Sequence, residues 1–588
     1  MITSADFDRV VYKFPRLNSR GTEIENVLGL DSEAYDTGQP FMICLSTGAE
    51  LLPEDMPGAL FDHADCRHVA VYNLKYDSGA ILYHMPRENM IELWEQTRTR
   101  WGPCLVEYIP HKCLTIARGK RHWVRIWDVS QFYAMSLDRA SQRYLDKRKT
   151  DIETKKFSVA YVKKHRAKIR RYCIQDARLC SELTAFLLAK LAEFGIRATA
   201  LYSSASLSFR YFADRVRIVT SWRFWKRYRE LLPYAMDSYE GGKFEVTGRG
   251  SGDMHEYDIV SAYPYEIANL LDISTAEVIK SKRYQAGAAY GFLRCEVYNP
   301  RGLHVPCGIM VDNVRIYPAG RYYVTITKAE YDYLTEIGVE VRILSGYWLG
   351  VRWPSKPYSE IVDQLFALKA AYKGKDAMLY EVSKRMLNSF YGKCVQMIED
   401  WRGNVNAGAG WNPMYGAIIT ANTRIAMCRV QNALGPRCLA VHTDSVITTE
   451  PLPEDMITGN LGGFAFELEG PATIIACGQY EIDGSCAFKG FEPQSGETWR
   501  AILRRNRKRE YIDYPILRVE SWLDAMSKGH PVERINYFEN TTKTIDLNCD
   551  TKRIWYRRVS GGDLLGPVEQ STPRIFRQGA PPEYWPKR

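Results

Sequence analysis

The chain has 588 residues, 46% hydrophobic, 25% charged and 12% aromatic, enough to fill more than one core and, at ~150 residues per domain, three to four domains. Its 79 Lys and Arg outnumber 69 Asp and Glu for a formal charge of +10, which favours a polyanionic partner. The 14 cysteines never form Cys-x-x-Cys and no Gly-Lys pair is followed by Ser or Thr, so a zinc ribbon, a thioredoxin-type motif and a P-loop motor are excluded at motif level. Free thiols in a reducing cytosol are expected, hence a cytoplasmic location. Met1 to Arg20 lacks an apolar core region, and the apolar stretch around Leu187 is flanked by Lys190 and Glu193, so neither secretion nor a membrane span is expected.

In chain order, residues 25–48 and 66–84 read as strand-rich. Arg143 to Arg171 carries twelve Lys or Arg against three acids, either a solvated face or a surface that follows a phosphate backbone. Residues 173–194 have apolar side chains at helical spacing, with Gly195 as the stop and a domain boundary near it. Mixed α/β segments follow to about 350, helical patterns at 358–392 and 415–434, and short strands through 438–490. A second basic run, Arg500, Arg504, Arg505, Arg507, Lys508 and Arg509, and the segment Asp550 to Arg553 are candidates for gripping a duplex.

Two sets of acids carry the chemistry. Asp31 and Glu33, two apart where a strand is expected, leave the same face of a sheet. Asp77 follows in Asn73-Leu74-Lys75-Tyr76-Asp77, and Asp176 lies four residues after Tyr172 on one helix face. Four acids and a tyrosine suit two metal ions about 4 Å apart that activate water and stabilise the leaving oxygen of a phosphodiester. The second set opens with Asp258 in Tyr257-Asp258-Ile259-Val260-Ser261-Ala262-Tyr263-Pro264, read as a strand end with the proline stopping the ladder. Leu439 to Ile447 reads as a hairpin with Asp444 at its tip. Between them, Lys384, Asn388 and Tyr391 are spaced to line one stripe of a helix, a cation for a triphosphate and an aromatic ring for a base pair, with Gly392 allowing a close backbone approach or the helix end.

The first set resembles, in order, the three exonuclease motifs of family B DNA polymerases: Asp-x-Glu, Asn-x-x-Tyr-Asp and Tyr-x-x-x-Asp. The second resembles polymerase motifs A, B and C of the same family. Ser136-Leu137 and Lys149-Thr150-Asp151-Ile152 are similar to two auxiliary exonuclease motifs of the protein-primed branch of phages, linear plasmids and mobile elements. Tyr239-Glu240-Gly241-Gly242 resembles the linker motif that contacts template, and Lys489 in Ala487-Phe488-Lys489-Gly490 the lysine beside the primer.

The resemblance implies an α/β (α+β) multidomain chain, an RNase H-like exonuclease domain followed by a right-hand polymerase. Its parts are a 3′–5′ exonuclease domain (1–195), a palm with motif A and a priming-protein docking insertion at about 275–350 (196–357), fingers with motif B and a short second insertion (358–414), a palm with motif C (415–486) and a thumb with the basic C-terminal region (487–588). It implies Asp31, Glu33, Asp77 and Asp176 as metal ligands, Tyr172 as orienter of the attacking water, Asn73 and Tyr76 as holders of the frayed primer end, and Ser136, Leu137 and Lys149 as further DNA contacts. It implies Asp258 and Asp444 as ligands of a second metal pair, with Tyr263, Ser261, Lys384, Asn388 and Tyr391 around the nucleotide and Tyr239, Gly241, Gly242 and Lys489 on DNA. Two Mg²⁺ per site, with Mn²⁺ as substitute, and primer-template DNA, dNTPs and a terminal protein as partners complete the expectation. Histidine replaces the first motif C aspartate in His442-Thr443-Asp444-Ser445, so an exonuclease with a weak polymerase site is the alternative. The 22 residues from Lys393 to Met414 look short for a DNA-encircling insertion, with Trp401 to Asn404 supplying a tight turn.

Overall fold

The computed structural model describes residues 4–12, 22–63, 67–150, 152, 157–400, 402–491, 493, 496–583 and 585; Asp151 and Trp401 lie outside them. The amino-terminal third is built on an eight-stranded mixed sheet with Leu28–Ala34 near its centre, parallel to His68–Val71 and antiparallel to Pro40–Leu45. Pro40 to Leu45 is buried at every position, as expected of an apolar run covered on both faces. Across the sheet lies the helix Val159–Glu193, capped at its start by the Ser158 hydroxyl and followed by Gly195 at φ +80°. It begins well before the expected residue 173 and absorbs a bend at His165. A Cβ on Gly29 would lie 1.6 Å from the Ala177 carbonyl oxygen, so only glycine lets this helix rest on the strand that carries Asp31 and Glu33.

Residues 66–84 are not all strand. His68–Val71 is, but Leu74–Leu82 is a helix whose first amides, Asn73 N (3.3 Å) and Leu74 N (3.0 Å), donate to the buried Asp128 carboxylate from a neighbouring strand. The initiating acid is distant in sequence, which is why local pattern misses the helix. The cationic stretch is partly spent internally: Lys147 pairs with Glu182 (2.6 Å), and Arg166 and Arg170 with Glu50 (2.5 and 2.9 Å).

The second large sheet is antiparallel and also eight-stranded, its middle formed by Cys438–Thr443, Ser445–Thr448, Gly248–Ile259 and Phe464–Ala476. The 439–447 hairpin is as expected. Pro264 does not end the strand; the ladder stops at Ile259, and Pro264 sits in the first turn of the helix Ala262–Asn269, where a missing N–H costs no bond. Most of residues 275–350 supplies four strands of a five-stranded sheet whose fifth, edge strand is Ile575–Arg577; the sheet is covered by the helix Lys328–Glu336, with its own core including Leu293, Val297, Tyr322, Ile326 and Trp348. The short interval after Lys393 makes a small hairpin, Met397–Glu399 with Val405–Ala407. Among the described residues no helix is long and apolar enough to cross a membrane.

The long helix and the motif B helix, Ala377–Ser389, share one core: Leu183, Leu187 and Leu191 lie in the same buried cluster as Met386, Leu387 and Phe390. The C-terminal region reaches the first sheet by another route. A two-stranded ribbon, Tyr511–Val519 with Phe538–Asp546, is rooted by Ile512, Tyr514 and Ile545 against Ile475 and Trp499. Its middle, at Pro515, Leu517, Arg518, Glu539, Asn540 and Thr542, is exposed. Its far end carries the helix Trp522–Ser527, whose Trp522, Ala525 and Met526, with Ile535, are buried among Leu74, Ile81 and Tyr108. Trp522 Nε1 donates to Ser78 Oγ (3.1 Å) and Asn536 Nδ2 to the Tyr76 carbonyl (3.1 Å), clamping the helix that carries Asp77. Arg553, by contrast, is no duplex grip: it is buried, donating to Glu245 (3.0 Å) and Ser571 (2.7 Å).

Trp522→Ala should cost ~3–5 kcal/mol of docking free energy. Hydrogen exchange should then quicken across 74–82 and 520–537 while 438–448 stays protected; unchanged protection at 520–537 would show that the docked tip is not held by this side chain.

Candidate active sites

At the first site the pleat puts Asp31 and Glu33 on one face of Leu28–Ala34, and the intervening Ser32 hydroxyl donates to Asp77 Oδ1 (2.7 Å). Asp176 reaches the same place from the long helix, and Glu33, Asp77 and Asp176 are 6%, 3% and 2% exposed. Burial first, and then their mutual repulsion, raise the Asp31 and Glu33 carboxyls well above the ordinary range, Asp176 being the foremost repelling neighbour of both. Burial takes Asp77 to about 7 against the opposing Ser32 bond. Asp176 is also raised by burial, opposed by its ion pair with Lys149, whose ammonium lies 4.6 Å from the centre of the Tyr172 ring. One Asp176 oxygen, Oδ1, is buried without a protein partner.

Four acids, Tyr172 and Lys149 therefore converge. The Tyr76 hydroxyl is raised by burial and then by Glu33 and Asp77, which places it beside them. Asn73 is in the left-handed region at φ 90° and is exposed. Ser136 caps a helix through the Arg139 amide (3.3 Å), and Leu137 enters the core. Sequence reading missed Asp128, which starts the Asp77 helix; its signal is an acid closing the apolar strand His122–Asp128.

At the second site, register does the assembling. Asp258 pairs with Ser445, next to Asp444 in the hairpin turn, and the Ile259 amide donates to the Asp444 carbonyl (2.9 Å). Burial, then Asp444 and Glu467, raise Asp258 to about 7, and burial raises Asp444. Glu467 was missed because it depends on an irregularity: the strand pairing slips between Glu256 and Tyr257, leaving Glu467 unpaired opposite them. The turn holds Thr443 at φ 69°, and a Cβ on Gly242 would lie 2.4 Å from Thr443 Cγ2, so the Gly241-Gly242 linker lies directly on the Asp444 turn. The fully buried Arg424, also missed, fixes this linker by donating to the Glu240 (2.7 Å) and Gly241 (2.9 Å) carbonyls.

Ser261 takes a left-handed conformation (φ 52°) and accepts from Lys369 Nζ at 3.2 Å. Lys369, on the helix Ser359–Tyr372, is a further missed cation; burial and then Lys384 lower its pKa, which places the two lysines near one another. Tyr263 and Tyr391 meet with ring centres 4.4 Å apart, and both are electrostatic neighbours of Asp444. Lys384 and Asn388 line the exposed face of their helix as spaced, with Tyr391 just past its end beside Tyr263. His442 is held between Phe244 (4.7 Å) and Tyr480 (5.1 Å, 14° between planes). Burial, then Lys552 and Lys489, lower it to about 4, so it is neutral at neutral pH. Lys489 itself is exposed over the Phe244 ring at 4.8 Å.

Asp77 and Asp258 have folded pKa values of about 7, above the unfolded ~4, so their stabilising protonation is lost as pH rises toward 7 and beyond. His442 acts with the opposite sign, but only in the window from about 4 to its unfolded ~6.5. Without divalent ions the melting temperature should therefore fall between pH 6.5 and 8, and added Mg²⁺ should raise it more at pH 8. Equal gains at both pH values would show that these carboxyls are not the groups titrating.

The family model for DNA polymerase type B, organellar and viral, matches residues 107–402, half of the chain, including Asp176, Asp258 and Lys384. The DNA polymerase of Acidianus bottle-shaped virus is 22% identical over 428 residues, 64% of this chain and 61% of that protein, and a probable DNA polymerase of Podospora anserina is 24% identical over 157 residues, 26% and 13%. The matches thus span less than two thirds of these relatives. Phi29 DNA polymerase has the same fold: its complex with primer-template DNA superposes with a TM-score of 0.59 at 14% identity, covering 89% of this chain and 100% of that one, and its ternary complex with incoming nucleotide gives 0.60 over 90% and 100%. The α/β multidomain architecture is therefore the one expected from the motifs, and the chain belongs to the organellar and viral type B DNA polymerases.

Proposed function

We propose that the chain is a DNA-directed DNA polymerase that extends a primer 3′-hydroxyl from dNTPs at Asp258 and Asp444 and removes mispaired ends at a separate 3′–5′ exonuclease site. The observation that carries this reading is the pair of carboxylate clusters, the first largely buried and the second half-buried, each with raised carboxyl pKa values. Clustered hard oxygen donors whose like charges repel fit divalent cations, so Asp258 and Asp444 would hold Mg²⁺ or Mn²⁺ at one site and Asp31, Glu33, Asp77 and Asp176 at the other. Such ions supply a more acidic hydroxyl or water and neutralise the leaving oxygen.

The chain's own residues do the rest. Lys384 and Lys369 offer cations to a triphosphate, Lys369 from a position fixed on Ser261. Tyr263, braced on Tyr391, forms the floor under the sugar and excludes a 2′-hydroxyl, and Asn388 borders the base-pair pocket. The linker Tyr239 to Gly242 carries the template past the Asp444 turn. At the exonuclease site Tyr172 orients the attacking water, and Asn73, Tyr76 and Lys149 hold the frayed end. The separate sheet formed by residues 275–350 is assigned to docking of a priming protein, in keeping with the phi29-like fold. His442 lies in the flanking strand, and its replacement of an acid leaves the Asp258–Asp444 juxtaposition in place. The polymerase reading is therefore favoured over a nuclease with an idle palm.

A 5′-labelled primer on a longer template, incubated with Mg²⁺ with and without dNTPs, separates the sites. Asp258→Ala should lose extension and keep primer shortening; Asp77→Ala should do the reverse. Each loss should exceed the ~10–100-fold that removal of an outer-shell partner of a metal costs. Shortening without extension by the unaltered protein, in Mn²⁺ as in Mg²⁺, would sink the polymerase assignment. Lys369→Ala should raise the KM for dNTP more than it lowers kcat, and unchanged kinetics would remove this lysine from the nucleotide site.

A further inference from the structure

The two carboxylate sites differ in one donor. Cys173 follows Tyr172 and precedes Asp176 by one helical turn, so it faces the strand carrying Asp31 and Glu33. One ligand atom each from Asp31, Glu33 and Cys173 lie within 4.8 Å of one another, and among the described residues this is the only such group of three His, Cys, Asp or Glu. The thiol is fully buried, donates to the Asp31 carbonyl at 3.4 Å and touches the Cys44 thiol. An independent sign of a missing ligand is Asp176 Oδ1, buried without a partner on a side chain that is 2% exposed and is the strongest repelling neighbour of Asp31 and Glu33. Asp31, only half buried, leaves the group a path to solvent. At the other site the groups acting on Asp258 are Asp444, Glu467 and Glu256, all oxygen donors.

We infer that Cys173 is a third donor at the Asp31–Glu33 subsite, which therefore takes a thiophilic divalent ion of the Zn²⁺, Cd²⁺ or Co²⁺ class more tightly than Mg²⁺, while the Asp258–Asp444 site does not. Thiolate selects softer ions, and Mg²⁺ takes oxygen alone. Binding forms one metal–sulfur bond and releases the thiol proton to solvent. Cys44, opposite Asp31 in the sheet and in contact with Cys173, is the neighbouring thiol from which Cys173 must be distinguished. The inference rests on the exonuclease reading of this site but is tested apart from it.

The test is a titration of the full chain with Cd²⁺, reading sulfur-to-cadmium charge-transfer absorption in the ultraviolet, in a Cys549→Ser background that removes the exposed thiol. The band should appear in that protein and persist in Asp258→Ala and Cys44→Ser. It should vanish in Cys173→Ser, with Cd²⁺ affinity at the subsite down about tenfold or more. Absence of the band before any change at Cys173, or its survival in Cys173→Ser, overturns the inference. Primer extension by Cys173→Ser reports that the chain still folds. If it does not, Asp31→Asn serves, since a shared ion requires the band to weaken at least tenfold there too, and an unchanged band overturns the assignment. A protein that degrades primer ends without the band refutes the sulfur ligand alone; one that shows the band but degrades nothing refutes the exonuclease reading.

Discussion

Repulsion between crowded carboxylates is the constraint on which both sites depend. Asp31, Glu33, Asp77 and Asp176 are forced together inside one domain, and Asp258, Asp444 and Glu467 at the mouth of another sheet. Crowding like charges, largely buried at the first site and half-buried at the second, is unfavourable unless a counter-charge joins them. The chain supplies part of it, with Lys149 on Asp176 at the first site and Lys369 near Asp258 at the second. The remainder is what the divalent ions and substrate of the proposed function would supply.

Forcing acids together requires backbones to approach closely, and glycine decides where. Gly29 lets the long helix lie on the strand of Asp31, and Gly242 lets the linker lie on the turn of Asp444. Each is a contact that a single methyl group would break. Around them, buried ion pairs lock backbone rather than merely adding charge, as Arg424 does by holding the linker carbonyls while paired with Glu330 at 2.7 Å.

The two sites are joined mechanically along two routes. The helix that presents Tyr172 and Asp176 continues into the core of the motif B helix, with Lys190 bound to its capping residue Asp376 at 2.6 Å. The C-terminal ribbon runs from the second sheet to the helix of Asp77 and closes there through Trp522.

How much of this was legible in the chain depended on whether a feature is local. Asp31 with Glu33, Tyr172 with Asp176, the hairpin tip at Asp444 and the Lys384 stripe follow from strand and helix periods, which repeat within a few residues. The sequence alone therefore determined the acids, their order and the family they resemble. Asp128 starting a helix across the sheet, Glu467 exposed by a slipped register, Lys369 reaching Ser261, Cys173 beside Asp31 and Trp522 docked on Ser78 were decided by tertiary structure only. Each depends on residues far apart in sequence brought within bonding distance by burial of apolar surface, and no local period encodes which distant partner a side chain will meet.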